Sequence, residues 1–212
     1  MHPDPQAQRL SDQVLSALAR CKQIRRYPKN TVVVTQGERG DSVFFILEGR
    51  VKVYVSDDAG DQVVVTIQGR GEYFGELSLD DGLRSASVVT LEPSLLAVVP
   101  KEQFAGLVAS EPQLAVQLVM QLIGRVRVLT ERVTDLALLD VYGRLVKLLH
   151  DQSVQRPDGA RAMPRLTQKD IAEHVGASRE MVSRIFKELV SGGYVSMTSK
   201  EIVVHRSPPR RW

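Results

Sequence analysis

The stretch LTQKDIAEHVGASREMVSRIFKELV, residues 166–190, decides the fold of the carboxyl-terminal third of the chain. Thr167 suits the N-cap of a helix, and Asp170 three residues later can return a hydrogen bond in a capping box. Gly176 ends this first helix, because glycine accepts the positive φ that a tight turn requires. Ser178 then caps a second helix. The stretch therefore predicts a helix-turn-helix.

The second of these helices has an apolar face and a charged face. Apolar side chains recur at i, i+3, i+4 and i+7, which predicts a buried face, at Val182, Ile185, Phe186 and Leu189. Polar and charged side chains occupy the opposite, outward face: Arg179, Glu180, Ser183, Arg184 and Lys187. Arginine can bind guanine O6 and N7 in bidentate fashion, and glutamate can accept from cytosine N4. The outward face therefore has the donors and acceptor that reading base edges in a major groove requires.

We predict that this helix binds double-stranded DNA and that Arg179, Glu180 and Arg184 read bases. Glu180 favours base reading, since a helix that only held phosphate electrostatically would gain nothing from an acid. Five polar or basic residues are predicted to contact phosphate or to position the helix: Thr167, Lys169, Ser178, Lys187 and Lys200. Ser183 of the outward face is also predicted to contact DNA. The alternative is a solvated charged face, which any surface helix can show.

The surroundings of the helix-turn-helix extend the prediction to residues 139–212. Residues 193–204 read as a wing hairpin, and residues 140–151 read as a further helix followed by a polar loop. The net charge is −2 over residues 1–110, zero over 111–138 and +5 over 139–212. A basic carboxyl-terminal third in an otherwise neutral to acidic chain favours an anionic partner such as nucleic acid, and the tail residues Arg206, Arg210 and Arg211 could add phosphate contacts.

Residues 111–138 are predicted to form one long helix with an aliphatic seam. They contain one glycine, and apolar residues after Ala115 alternate at spacings of three and four: Val119, Leu122, Val126, Leu129, Val133 and Leu136. A strict repeat of this kind makes a narrow stripe that suits a partner helix with the same stripe. We predict a parallel homodimer through these six residues. The alternative is a helix that packs on its own β domain.

Residues 1–110 are predicted to form an antiparallel β-roll after a short helix near residues 11–21. Short β-branched or aromatic runs, separated by glycine turns, indicate strands at residues 31–35, 43–47, 51–55, 63–67, 85–90 and 95–99. Eight of the fifteen glycines fall between positions 37 and 82, which is typical of a compact roll. The fold class is therefore α+β, with domains at 1–110, 111–138 and 139–212.

Composition excludes several other classes of protein. Hydrophobic residues make up 43% and charged residues 25%, as in folded globular proteins. The longest apolar runs are five residues and the first ten residues lack a secretory pattern, so we expect no membrane contact and a cytoplasmic location. Cys21 is the single cysteine and the four histidines lack ligand spacing, so no metal site is expected. No catalytic triad or phosphate loop is present, and we expect no enzyme.

The order of these segments resembles the bacterial cAMP receptor protein and fumarate-nitrate reductase regulator superfamily of transcription factors. The resemblance covers nearly the whole chain, and its most specific stretches are Phe74-Gly-Glu-Leu-Ser78, Arg84-Ser-Ala86, Leu139-Asp-Val-Tyr-Gly-Arg144 and Ser178-Arg-Glu-Met-Val-Ser-Arg184. It implies a homodimeric regulator that contacts RNA polymerase, with residues 152–165 in the position of an activating surface. It does not imply an iron-sulfur cluster here, because that branch of the superfamily uses several cysteines.

The resemblance also implies a cyclic nucleotide effector in the β-roll and no tightly bound cofactor. Glu76 would accept from the ribose 2′-hydroxyl, Arg84 would pair with the cyclic phosphate, and Ser85 would complete the cradle. The other residues that this match places at the effector are Gly75, Leu77, Ala86, Leu129 and Thr130.

Three interpretations of the roll stay open. The effector could be cAMP, cGMP or cyclic di-GMP, and Leu129 disfavours cAMP because it stands where the family's cAMP receptor presents a hydroxyl to adenine. Glu76 and Arg84 could instead pair with each other in an empty roll, giving an effector-independent regulator. A cyclic-nucleotide-binding module could also act through a protein partner.

Overall fold

The computed structural model describes residues 9–18 and 23–209. The chain divides into two units, residues 1–129 and residues 130–212. The division falls within one long helix, whereas the domain boundaries predicted from the sequence lie at 110 and 138; those boundaries stay a prediction. Cys21, Arg210 and Arg211 lie outside the described residues.

The amino-terminal unit contains two four-stranded antiparallel sheets and the helices that flank them. Its elements in chain order are α1 Asp12–Leu18, β1 Ile24–Tyr27, β2 Val32–Val34, β3 Ser42–Glu48, β4 Arg50–Ser56, β5 Gln62–Gly69, β6 Tyr73–Phe74, a 3₁₀ helix Glu76–Ser78, β7 Ser87–Thr90, β8 Ser94–Pro100 and α2 Lys101–Ser110. Helix α3, Pro112–Leu138, belongs to this unit as far as Leu129. The sheets have the strand orders β1-β8-β3-β6 and β2-β7-β4-β5. The predicted β-roll is confirmed.

Strand β3 is apolar along its length because both of its faces are buried. Val43, Phe45 and Leu47 belong to a core that includes residues of α1 and α3, whereas Phe44 and Ile46 belong to a second core between the sheets. A strand covered on two sides loses the alternation of apolar and polar residues that marks a surface strand. The Phe44 and Phe74 rings stack in the second core with centroids 4.9 Å apart.

The strands agree with the sequence prediction except at three places. The strand predicted at residues 85–90 begins at Ser87, because Ser85 and Ala86 form a bend. Strands β1 and β6 were not predicted, because β1 is exposed and rich in arginine and β6 has two residues. The predicted first helix is described as Asp12–Leu18.

Helix α3 carries two apolar faces. Leu114 and Leu118 are buried in the core of the roll, together with Gln121 and Gly124 on the same side of the helix. The predicted seam is exposed in the single chain at all six of its positions: Val119, Leu122, Val126, Leu129, Val133 and Leu136. The inner face therefore packs on the chain's own β domain, and the outer stripe is a separate surface.

The carboxyl-terminal unit is a winged helix-turn-helix. Its elements are α4 Val141–Gln152, β9 Val154–Gln155, β10 Arg161–Pro164, α5 Gln168–Val175, α6 Arg179–Ser191, β11 Val195–Met197 and β12 Glu201–Val204. The strands form one antiparallel sheet in the order β11-β12-β10-β9. The predicted wing hairpin is confirmed as β11 and β12.

The prediction of a polar loop between residues 152 and 165 is partly wrong. Strands β9 and β10 pair there, and the Arg156 N–H donates to the Ala160 carbonyl at 2.8 Å to close a turn. Gly159 has φ 84° in that turn, a value that favours glycine. The polar composition hid the strands, because β9 is exposed and both strands are short.

The caps of the helix-turn-helix are those that the sequence predicted. The Thr167 hydroxyl accepts from the Asp170 N–H, and the Asp170 carboxylate accepts from the Thr167 N–H at 2.9 Å. Gly176 ends α5 with φ 64°, and the Ser178 hydroxyl accepts from the Met181 N–H. Both helices of the motif are therefore held at their ends by short-range hydrogen bonds.

Asp140 provides a stability test of the carboxyl-terminal unit. Its carboxylate accepts from the Gly143 N–H at 2.7 Å and caps α4. Replacing an N-cap acid with alanine costs about 1 kcal/mol, so Asp140→Ala should lower the free energy of unfolding by that amount. Urea denaturation followed by circular dichroism measures it. Asp140→Ser keeps a capping oxygen and should restore most of the loss; equal loss in both variants would contradict the capping role.

Candidate functional site

A cavity of about 300 Å³ opens in the amino-terminal unit beside the 3₁₀ helix and β5. Its walls are largely apolar, formed by Phe74, Leu77, Leu129 and valines of several strands. The polar and small lining residues cluster on two loops, one strand and one helix: Thr66, Gln68, Gly75, Glu76, Ser78, Arg84, Ser85, Ala86 and Arg125. Seven of the eight residues that the sequence placed at the effector thus line one cavity.

Arg84 is the buried cation of this cavity, with only 7% of its surface exposed. One terminal nitrogen donates to the Gly75 carbonyl at 2.9 Å and to the Ser78 hydroxyl at 2.8 Å, and the other donates to the Ser42 carbonyl at 3.0 Å. Burial lowers the pKa of Arg84, and nearby carboxylates oppose that shift. The guanidinium is therefore fixed in place as a cation by neutral protein acceptors.

Glu76 forms its ion pair with Arg125 of α3. The Arg125 guanidinium donates to the Glu76 carboxylate at 2.6 Å and also to the Tyr73 carbonyl, and it lies over the Tyr73 ring at 4.3 Å. The interpretation in which Glu76 pairs directly with Arg84 is therefore wrong for the described residues. Each of the two predicted ligand-binding residues has its own separate protein partners.

Two glycines make room for the Arg84 side chain. A Cβ at Gly40 would overlap the Arg84 guanidinium and the Ser78 hydroxyl. A Cβ at Gly75 would approach both Arg84 and the Ser42 carbonyl, and Gly75 has φ 88°, where side chains are strained. The Phe74-Gly-Glu-Leu-Ser78 stretch therefore needs its glycine for backbone geometry and for space around the cation.

The remaining predicted effector residues lie at the edge of the cavity or on α3. Ser85 and Leu77 are exposed, and Ala86 is half-buried. Leu129 lines the cavity, and Thr130 follows it on α3 as an exposed residue of the second unit.

Sequence reasoning missed Arg125 and Gln68 as cavity residues. Arg125 follows Leu118 and Gln121 at the spacing of the inner face of α3, and this spacing is the signal that could have indicated its place. Gln68 was overlooked as a polar residue at the end of an apolar strand run.

The predicted DNA-reading face is solvent-exposed in the carboxyl-terminal unit. Arg179, Glu180, Arg184 and Lys187 are exposed on α6, and Ser183 is half-buried among them. The opposite side of α6 is buried in the core of the unit at Val182, Ile185, Phe186 and Leu189, as the sequence predicted. The exposed set starts at the amino-terminal end of the helix, where a recognition helix contacts base edges.

The other residues predicted to position the helix are exposed as well. Thr167, Ser178 and Lys200 are exposed, and Lys169 is exposed with a 4.0 Å contact to Glu173. Arg206 lies over the Tyr194 ring at 4.3 Å.

Arg144 holds the helix-turn-helix against the preceding helix. Its Nε donates to the Val175 carbonyl at 2.8 Å, and Nη1 donates to the Leu139 carbonyl at 2.8 Å. A cation at the carboxyl end of α5 satisfies an otherwise unpaired carbonyl and complements the helix dipole. The Leu139-Asp-Val-Tyr-Gly-Arg144 stretch is thus explained by packing around the motif rather than by contact with a ligand.

None of the helices within residues 9–18 and 23–209 combines the length and apolar character needed to cross a bilayer.

Comparison with known proteins identifies both halves of the chain. Residues 24–111 match the cyclic nucleotide-binding domain, and residues 143–208 match the Crp-like helix-turn-helix domain. The chain is 32% identical to the cAMP-activated global transcriptional regulator CRP of Pasteurella multocida over 189 residues, which cover 86% of this chain and 90% of that protein. It is 33% identical to the cAMP-activated global transcriptional regulator Vfr of Pseudomonas aeruginosa over 197 residues, covering 88% and 91%.

A solved structure agrees with these relatives. The c-di-GMP-responsive global regulator CLP of Xanthomonas campestris superimposes with a TM-score of 0.82 at 27% identity, covering 92% of this chain and all of that chain. The likeness includes the β-roll, the long helix and the helix-turn-helix in the order described above. The chain therefore belongs to the CRP/FNR superfamily of DNA-binding transcription regulators.

Proposed function

We propose that this chain is a homodimeric transcription regulator that binds a cyclic nucleotide in the β-roll cavity and reads DNA with two copies of α6. The observation that carries the proposal is the placement of a buried arginine and a carboxylate, Arg84 and Glu76, in one apolar-walled cavity of a chain that also exposes a charged recognition helix. The effector is cAMP, cGMP or cyclic di-GMP.

The cavity suits each part of such a nucleotide. Arginine has five N–H donors, and the hydrogen bonds of Arg84 to Gly75, Ser78 and Ser42 leave capacity for a phosphate anion. The Glu76 carboxylate can accept from a ribose hydroxyl while Arg125 balances its charge. The valine and phenylalanine walls suit the faces of a purine.

The exposed stripe of α3 suits a second copy of the same helix. Its six residues keep a spacing of three and four over nearly three heptads, and all are exposed in the single chain. Pairing of two such stripes would bury them and would hold two recognition helices at a fixed separation, about 34 Å for successive major grooves. The dimer would then bind two-fold related half-sites.

Further contacts complete the proposed mode of action. Residues 152–165 include the β9–β10 hairpin, whose turn is largely exposed, and are the proposed contact with RNA polymerase. No enzymatic step is proposed, and the regulator would act in the cytoplasm, where bacterial DNA and RNA polymerase are found. The effector would favour one arrangement of the dimer only by binding that arrangement more tightly.

One observation favours a second candidate, a regulator with an empty roll. Arg84 and Glu76 both have protein partners in the described structure, so neither requires a ligand to be satisfied. A cyclic nucleotide must therefore bind by adding to these contacts or exchanging with them. Titration of the protein with nucleotides distinguishes the two candidates.

Arg84→Ala should weaken nucleotide binding at least about thirtyfold, since truncating one partner of a buried charge pair costs 2 kcal/mol or more. Isothermal titration with cAMP, cGMP and cyclic di-GMP measures the change. Arg84 also holds the surrounding loop through its hydrogen bonds, so its loss could disturb the fold. Ser85→Ala is therefore a second variant, because Ser85 is exposed and its hydroxyl is not needed for packing. It should weaken binding severalfold and leave the fold intact.

Arg50→Ala is the matched control. Arg50 pairs with Glu92 at 3.1 Å on the surface, outside the cavity, and its loss should leave nucleotide binding unchanged. Failure of all three nucleotides to bind the unaltered protein, with DNA binding retained, would contradict the effector and support the empty roll. DNA fragments that fail to bind with and without nucleotide would instead favour a module that acts through a protein partner.

A further inference from the structure

Gln68 is a buried polar residue whose side-chain oxygen has no hydrogen-bond partner among residues 9–18 and 23–209. It lies near the end of β5 with 3% of its surface exposed. Within the described residues, its side-chain Oε1 is shielded from solvent and accepts no hydrogen bond. A buried acceptor left unpaired costs about 1–3 kcal/mol, which an apolar residue at the same place would avoid. Folding alone therefore gives no reason for a glutamine at this position.

The position of Gln68 beside the cavity suggests that the glutamine serves ligand binding. Gln68 is one of the residues that line the cavity, together with Glu76, Arg84 and Arg125. The charged groups suit the phosphate and the ribose, and most of the remaining wall is valine or phenylalanine. Gln68 and Thr66 are the polar side chains that β5 adds to this wall.

We propose that Gln68 is a specificity residue that accepts a hydrogen bond from the exocyclic amine of the purine in the cavity. This inference rests on the proposed function, because it requires a cyclic nucleotide as the ligand. The unpaired atom is an acceptor, and an exocyclic amine is a donor with two N–H groups. The carboxamide can also turn about its last side-chain bond to present its oxygen to the ligand.

This contact would discriminate between ligands more strongly than the apolar walls do. A site built to pair with a polar group rejects an analogue that lacks the group, because the buried acceptor is then left without a donor. Phosphate and ribose are common to all 3′,5′-cyclic nucleotides and cannot supply that discrimination. Gln68 thus adds a base-edge contact to a cavity whose charged residues suit the phosphate and the ribose.

The test combines a side-chain change with a ligand change. Gln68→Met keeps the length of the side chain and removes its hydrogen bonding; Gln68→Leu is a second apolar variant. Isothermal titration compares cAMP with purine riboside 3′,5′-cyclic phosphate, cGMP with inosine 3′,5′-cyclic phosphate, and cyclic di-GMP with cyclic di-IMP. Each second ligand lacks the amine. For the nucleotide that the unaltered protein binds, both variants should weaken binding about tenfold, and they should leave binding of the amine-free analogue within twofold.

Two controls distinguish a loss of ligand recognition from a loss of folding: the free energy of unfolding of the Gln68 variants, and a matched variant elsewhere on β5. Both variants remove an unpaired buried oxygen, so the free energy of unfolding in urea should stay the same or rise. Gln62→Met changes the same residue type on β5 outside the cavity lining and should leave binding unaltered.

Three results would overturn the inference. Unchanged nucleotide binding in both Gln68 variants would remove Gln68 from recognition while leaving the proposed function in place. Equal weakening of the amine-containing and amine-free ligands would show that Gln68 does not contact the amine. Absence of binding of all three nucleotides by the unaltered protein would contradict the proposed effector itself, and the inference would fail with it.

Discussion

Val133→Glu should dissociate the dimer, raising its dissociation constant at least about a thousandfold, which corresponds to about 4 kcal/mol. Val133 lies in the outer stripe of α3 and is 65% exposed in the single chain. In a parallel pair of helices the two copies of this residue face each other. The variant would remove two buried valines and desolvate two like charges, and each buried ion costs several kcal/mol.

The same variant should keep the fold of the single chain, because the position is exposed there. Sedimentation equilibrium over a range of protein concentrations measures the dimer, and gel shift measures DNA binding, which should fall with it. Leu138→Glu is the matched control: Leu138 is 77% exposed near the end of the same helix, off the repeat of the stripe. A Val133→Glu protein that stays dimeric at low concentration would contradict the proposed interface.

Local hydrogen bonding explains why the helix-turn-helix could be predicted so closely. The capping box of Thr167 and Asp170, the positive φ of Gly176 and the cap at Ser178 depend on residues at most three positions apart. The sequence therefore contains both partners of each contact within one short window. The strand runs of the roll were predicted for a similar reason, since β-branched runs between glycines need no knowledge of their sheet partners.

Contacts between distant segments explain what could not be predicted. The short strand β10 is stabilised by pairing with β12, some forty residues away, and β9 pairs in turn with β10. Glu76 and Arg125 are 49 positions apart, and only the packing of α3 on the roll brings them together. The sequence predicted that Glu76 and Arg84 would share a site, but it could not show that each would have a separate partner.

The unpaired oxygen of Gln68 is also a property of the folded structure. A glutamine after a run of apolar residues resembles the polar end of a strand, and the sequence gives no sign that it is buried. Burial and the lack of a donor become visible only when the cavity is formed.

Arg184→Ala should weaken binding to the cognate operator by about 2–6 kcal/mol, because each of two half-sites loses a base contact worth about 1–3 kcal/mol. This corresponds to between about thirtyfold and about twenty-thousandfold. Arg184 is exposed on α6, and its neighbours Ile185 and Phe186 are buried in the core, so the side chain is held toward solvent by the packing of the helix. The loss should be largest at one base pair of each half-site and small on random DNA.

Lys187→Ala is the matched comparison, since Lys187 is exposed on the same face of α6 and is proposed to contact phosphate. It should weaken cognate and random DNA alike, and it should reduce the slope of log K against log salt by about one per subunit. The operator is first recovered by selection from genomic fragments, and both variants are then titrated against it and against single-base changes. If Arg184→Ala weakened cognate and random DNA equally, its side chain would be a phosphate contact, because a residue that reads bases must lose more on the sequence it recognises.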